Sequence, residues 1–102
     1  MFPERIYKGA TVIISGQARK RDGRPFPLSG YSVLLFLKDA SSVYEIQGAI
    51  LNEELGKFTV TIPKTLSSSF SGDRVQYELV IKNDSEDYVC DQGEMDLLPR
   101  LT

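Results

Sequence analysis

The chain contains no histidine, no tryptophan and a single cysteine, Cys90. The absence of histidine removes the commonest metal ligand, the commonest general base and every Ser-His or Cys-His arrangement. One cysteine excludes an internal disulfide and a cysteine-based zinc site. No apolar run approaches the about 20 residues that cross a bilayer as a helix. The opening MFPERIYKGATVII carries its basic residues after Pro3 and no long apolar segment, so it does not read as a signal peptide. The expectation is a protein that is cytoplasmic when synthesised and has no membrane partner.

What is present suits a packed core. A length of 102 residues predicts one domain over residues 1–102. Hydrophobic residues make up 41% and charged residues 25%, with five Phe and five Tyr, which argues against disorder. The net charge of −2 hides an asymmetry. Residues 1–38 hold seven Lys/Arg against two Asp/Glu, and residues 39–102 hold five against twelve. Whole-domain nucleic-acid binding is not indicated. A basic edge opposite an acidic one would allow head-to-tail contact between copies, which closes a ring when the rotation permits.

Short runs of period-2 hydrophobicity alternate with Gly, Pro, Asn, Asp and Ser, the pattern of strands and turns. Strands are predicted over 10–19, 31–38, 43–51, 56–62, 74–82 and 88–98, with a short initial strand over 4–7. In 56–62, Phe58, Val60 and Ile62 alternate with Lys57, Thr59 and Thr61. Residues 31–38 are apolar on both faces, as in a central strand. Gly93 marks a bulge or a close approach. Only 63–71, PKTLSSSFS, offers helix, and no more than one turn. Six or seven strands at this spacing predict an all-β fold, a two-sheet sandwich or barrel.

The stretch RDGRPFPLSGYSVLLFL, residues 21–37, reads as a crossover. Asp22-Gly23 supplies a turn. Pro25 and Pro27 hold the segment extended. Leu28 and Tyr31 pin it to the core, and Gly30 permits a tight entry into the next strand.

Candidate sites are few. Arg19, Lys20, Arg21 and Arg24 crowd one turn and could meet phosphate, but only Phe26 stands near to stack a base. An acidic edge of another protein is the better match. Asp84, Glu86 and Asp87, followed by Asp91, Glu94 and Asp96, form an acidic set. NDSEDY lacks the DxDxDG spacing and the turn glycine of a calcium loop, so a solvated hairpin is expected. Tyr88-Val89-Cys90 echoes the Tyr-x-Cys of immunoglobulin domains without the partner Cys or the Trp. Cys90 is expected to be a small core hydrophobe. Ser67, Ser68 and Ser69 have neither a base nor a nucleophile motif around them. Paired carboxylates for glycoside chemistry are allowed by residue type, but a chain this small has little left to build a cleft.

The order of motifs carries a resemblance. IYKGATVIISGQARKRDGRPFPLSGYSVLLFLK resembles the opening of small immunoglobulin-like domains of bacteriophage and prophage tail or baseplate proteins. In those domains a "GD"-type step leads to a strand, then to a "dG.p.dLtGy" signature and a long apolar strand. The signature falls here on Asp22-Gly23-Arg24-Pro25-Phe26-Pro27-Leu28-Ser29-Gly30-Tyr31, and the step on Lys8-Gly9-Ala10, with Ala10 where Asp is usual. GKFTVTIPKTLSSSFSGDRVQYELVI and DQGEMDLLPRLT are similar to the later parts, so the likeness spans nearly the whole chain. It implies an immunoglobulin-like antiparallel β-sandwich that is structural and not an enzyme. It also implies no cofactor or metal, and partners among other tail components or copies of itself. Assembly into a virion would follow synthesis. The contrasting expectation is a module for a carbohydrate or host-surface receptor, using exposed Tyr7, Tyr31, Tyr44 or Phe26.

Overall fold

The computed structural model describes residues 2–101. They form eight strands in two sheets. β1 (Arg5–Tyr7), β8 (Asp87–Leu98), β7 (Arg74–Lys82), β3 (Ser32–Lys38) and β4 (Val43–Gln47) lie side by side in that order. The second sheet has the order β2 (Val12–Gln17), β6 (Lys57–Ile62), β5 (Ala49–Asn52). One helical turn, α1 (Lys64–Ser67), links β6 to β7. The fold is therefore an all-β sandwich.

The core lies between the sheets, where period 2 places it. Val33, Leu35 and Leu37 of β3, Phe58, Val60 and Ile62 of β6, and Val75, Leu79 and Ile81 of β7 are all buried in one cluster. The outward residues of β3, Leu34 and Phe36, are half-buried, so β3 is apolar on both faces as its sequence predicts.

The strand count differs from expectation. Residues 43–51 read as one strand, but the chain leaves the large sheet after Gln47 and enters the small one at Ala49. Gly48 makes the switch. Its N–H donates to the Val33 carbonyl at 2.8 Å. A Cβ there would lie 2.9 Å from Val60 Cγ2 and 3.2 Å from Val33 Cγ1, so no side chain fits between the sheets. That crossing turns six or seven strands into eight.

Residues 18–31 carry the chain between sheets in the other direction, from β2 to β3, as predicted. Phe26 N–H donates to the Ala18 carbonyl at 2.9 Å, and Leu28 N–H to the Glu53 carbonyl at 2.8 Å. Leu28 is fully buried. Ala18 N–H donates to the Gly56 carbonyl at 2.8 Å. Gly56 has φ of 70°, and a Cβ on it would lie 2.4 Å from the Phe26 carbonyl oxygen. The crossover is thus fastened to the β5–β6 connection by backbone bonds and by a glycine whose replacement forces the neighbouring backbone to shift.

Two features of the large sheet bear on function. β1 runs parallel to β8 but pairs only with Asp96–Leu98. Among the described residues, Asp87–Glu94 therefore has β7 on one side and no strand on the other. The β7–β8 ladder also slips between Leu79 and Val80, which face Asp91 and Val89. Cys90 is the extra residue of that bulge.

Candidate functional site

The β7–β8 hairpin is closed by Asn83, whose side-chain oxygen accepts from the N–H groups of Ser85 at 2.9 Å and Glu86 at 2.7 Å. This Asx turn is what Asn-Asp-Ser favours. It places Glu86 between two phenols. Tyr31 Oη donates to Glu86 Oε1 at 3.0 Å, and Tyr88 Oη donates to Glu86 Oε2. The bonds from Tyr88 and then Tyr31 hold the Glu86 carboxyl below its ordinary value. Desolvation and Glu86 push the Tyr31 phenol up; for Tyr88 the bond to Glu86 leads and desolvation adds.

Phe26 completes an aromatic cluster. Its ring lies 5.3 Å from Tyr31 and 5.6 Å from Tyr88, both edge to face, the geometry that ring quadrupoles favour. The basic turn enters from the same side. Gly23 N–H donates to the Lys20 carbonyl at 2.9 Å, closing the turn. Arg19 is tied down by bonds to the Gly23 carbonyl (2.9 Å) and Gln17 Oε1 (2.7 Å). Arg24 pairs with Asp22 at 2.7 Å, and the Arg24 N–H followed by its guanidinium lowers the Asp22 carboxyl. Lys20 and Arg21 are exposed, and among the described residues neither side chain has a hydrogen bond or ion pair.

Between this turn and the unpaired half of β8 lies a hollow of about 690 Å³. Phe58, Leu79 and Ile81 of the core form its floor, with Phe26 and Tyr88 as walls and the basic turn as rim. Its size falls within the range of about 300–1,000 Å³ typical of ligand pockets. A hollow with an apolar floor and a cationic rim suits an occupant that is apolar at its centre and anionic at its margin.

Several expectations change. The basic set and the acidic hairpin do not occupy opposite edges; both flank the Phe26–Tyr31–Tyr88 cluster. Cys90 is not a core residue. It is exposed, because the alternation that buries Met95 and Leu97 puts even-numbered residues of β8 outward, and it sits at the bulge beside the hollow. Desolvation against the sheet and the Asp91 charge push its thiol up, opposed by a backbone hydrogen bond at Ile81, so it is not an activated thiolate.

The remaining candidates are dispersed. Asp84 and Asp87 are exposed on the hairpin beside Glu86. Glu94 and Asp96 lie 3.5 and 4.0 Å from Arg74, farther down β8. Among the described residues no three His, Cys, Asp or Glu side chains form a metal-holding group. Ser67 is buried and donates to the Ala10 carbonyl at 2.7 Å, while Ser68 and Ser69 donate to carbonyls of α1. Tyr7 is exposed; Tyr44 is half-buried, edge to face with Phe70 at 5.4 Å.

Asp39 is a residue that the sequence does not single out, and Tyr88 stands out there only as the first residue of the Tyr-x-Cys echo. Tyr88 walls the hollow. Asp39, at the end of β3, is buried. Its carboxylate accepts from the N–H groups of Ser41 (2.8 Å), Ser42 (2.7 Å) and Ser71 (2.8 Å), and from Tyr44 Oη at 3.3 Å. Burial acts to raise its carboxyl, but those donors together outweigh it and bring it down to about 2. Its role is to fasten the β3–β4 turn to the segment after α1.

The chain matches no protein-family model and no curated protein. Its fold does match solved structures. One is a candidate glycoside hydrolase from Bacteroides vulgatus ATCC 8482, with a TM-score of 0.62 and 8% identity. The match covers 96% of this chain and 17% of that one. At that identity the likeness concerns the fold alone, and this chain spans about a sixth of that protein's length.

Proposed function

We propose that this chain is a non-enzymatic, immunoglobulin-like structural domain that works in a phage or prophage tail or baseplate through protein–protein contacts. The observation that carries the reading is the open half of β8, a strand edge with no strand beside it among the described residues and with Tyr88 and Val89 exposed. Natural sandwiches shield such edges unless another chain uses them. Strand order supports the immunoglobulin-like part. Lettering β1 to β8 as A′, B, C, C′, D, E, F and G gives one sheet A′-G-F-C-C′ and the other B-E-D, in keeping with the variable-type arrangement. The bonded serines, the raised thiol and the lack of histidine favour a non-catalytic role.

The test is mass spectrometry of tail particles purified from the organism that encodes the chain. Stoichiometric amounts in intact particles are expected. Absence from particles that otherwise contain their full set of tail proteins overturns the reading.

A second reading, a carbohydrate- or receptor-binding module, is favoured by one observation. Tyr88 is exposed and its ring lies 6.4 Å from that of Tyr31, giving two neighbouring tyrosines at one surface. The fold likeness to part of a candidate glycoside hydrolase suits a module of that kind as well. Binding on a glycan array that is lost in Tyr88→Ala would select this reading.

A further inference from the structure

We infer that the hollow beside β8 is a docking groove for an extended acidic segment of a partner protein, which adds as a strand to the free half of β8. The inference rests on the protein-contact reading above and names the place and the chemistry of the contact.

Three observations converge. First, among the described residues Asp87–Glu94 is paired with β7 alone, so its outward backbone groups can accept a further strand, with the Gln92 N–H and the Tyr88 carbonyl exchanging their local side-chain bonds to Asp91 and Cys90. Second, the hollow of about 690 Å³ is bordered by Tyr88, Val89 and Cys90 of that edge and reaches Phe58, Leu79 and Ile81, residues of the core itself. A strand lying there would place alternate side chains inward. One bulky apolar side chain would sit between Phe26 and Tyr88. Third, the far rim carries Lys20 and Arg21, exposed and with no hydrogen bond or ion pair among the described residues, while the neighbouring Arg19 and Arg24 are already committed. Lys20 acts on Asp22 only through space. Two such cations beside an apolar groove favour carboxylates on the incoming segment.

Among the described residues no carboxylate lines the hollow, whose rim is Arg19, Lys20 and Arg21. Glu86 and Asp91 keep their charges but are turned to other donors, Glu86 to Tyr31 and Tyr88 and Asp91 to the Gln92 N–H at 2.9 Å. A segment of phosphodiesters would also meet Lys20 and Arg21. It would gain nothing from the free strand edge, however, and peptide backbone is the chemistry that pairs with such an edge.

The test uses the full chain and a fluorescent nine-residue peptide alternating valine and aspartate around one central phenylalanine, read by anisotropy. The controls are the same peptide with lysine for aspartate, the acidic peptide N-methylated on alternate residues, and a nine-nucleotide oligothymidine. The acidic peptide should bind at least about tenfold more tightly than all three, with affinity falling as salt rises. A Lys20→Glu, Arg21→Glu double variant should lose about tenfold while nearly keeping its thermal midpoint, because neither exposed side chain has a hydrogen bond or ion pair to lose among the described residues. Equal binding of the acidic and basic peptides overturns the inference. So does indifference to N-methylation, or tighter binding of the oligonucleotide. Such a failure leaves the protein's presence in purified tails standing as a separate result, so the groove and the broader reading can fail independently.

Discussion

Tyr31 donates its phenol to Glu86 at 3.0 Å across 55 residues of sequence, and so joins the crossover from the small sheet to the tip of the β7–β8 hairpin. With Tyr88 on the same carboxylate, the bond orients one wall of the hollow. Glu86 titrates below its ordinary 4.5 in the folded chain. Its contribution is therefore present above that value and is lost as pH falls through the lowered one. The phenols titrate above their ordinary 10.0, so their contribution is present below 10 and is lost as pH rises through the raised values. Glu86→Gln should flatten the acid limb of the stability profile. In the parent, three of the five tyrosines should ionise late when absorbance at alkaline pH is followed: Tyr31 and Tyr88, and also Tyr77, whose phenol is pushed up by burial and the Asp91 charge. Simultaneous ionisation of all five would show that the cluster does not hold in solution.

Asp39 gives a sharper acid dependence. Its carboxyl lies at about 2 when folded against an ordinary 3.8, so its stabilisation is complete above about 4 and disappears as pH falls toward 2. Asp39→Asn turns an amide donor toward at least one backbone N–H. The expected cost at neutral pH is about 1–3 kcal/mol. Urea melts at pH 7 and pH 2.5 should show a large parent–variant difference at the first and a small one at the second.

Glycines at left-handed φ should separate strain from crowding. Gly23 has φ of 90° with open space around its Cβ position, so Gly23→Ala should cost about 1–2 kcal/mol from the backbone alone. Gly56 has φ of 70° and a carbonyl oxygen 2.4 Å from that position, so Gly56→Ala should add about 1–3 kcal/mol of overpacking. At roughly 4–8 °C per kcal/mol for a chain of this size, calorimetry resolves the two. Equal midpoints would contradict the contact at Gly56.

The crossover predicts a further pair. Leu28 is fully buried, and Leu28→Ala should cost about 2–5 kcal/mol through the cavity it leaves, with Leu28→Ser no better. Gly30 has φ of 80° and no neighbour near its Cβ position, so Gly30→Val should cost about 1–3 kcal/mol from backbone strain. If both variants melt with the parent, residues 21–31 do not anchor to the core.

Much of the fold is legible along the chain because period-2 alternation is a local property. Phe58, Val60 and Ile62 announce β6, and Val75, Leu79 and Ile81 announce β7. The crossover is legible from two prolines, a buried leucine and a glycine in order. Gly93 also meets one of its two expectations. It is a close approach, since a Cβ there would lie 2.8 Å from Tyr77 Oη, and the bulge falls three residues earlier at Cys90. That shift is invisible locally, because a bulge depends on the register of the partner strand. The switch at Gly48 is hidden for the same reason, since nothing in VYEIQGAIL says that Val60 and Val33 will crowd the middle of it.

By itself the sequence determined an all-β chain with a two-faced central strand, a crossover at residues 21–31, and no histidine or paired cysteine on which to build common catalytic sites. Charge and exposure were decided only when the strands were placed. Electrostatic contact depends on distance in space, and the crossover carries Arg19, Lys20 and Arg21 to the hollow that also borders Tyr88, Val89 and Cys90. The candidate groove belongs to that second category. It exists because β1 is three residues long and β8 is twelve, and the difference leaves a strand edge open beside a basic turn drawn from elsewhere in the chain.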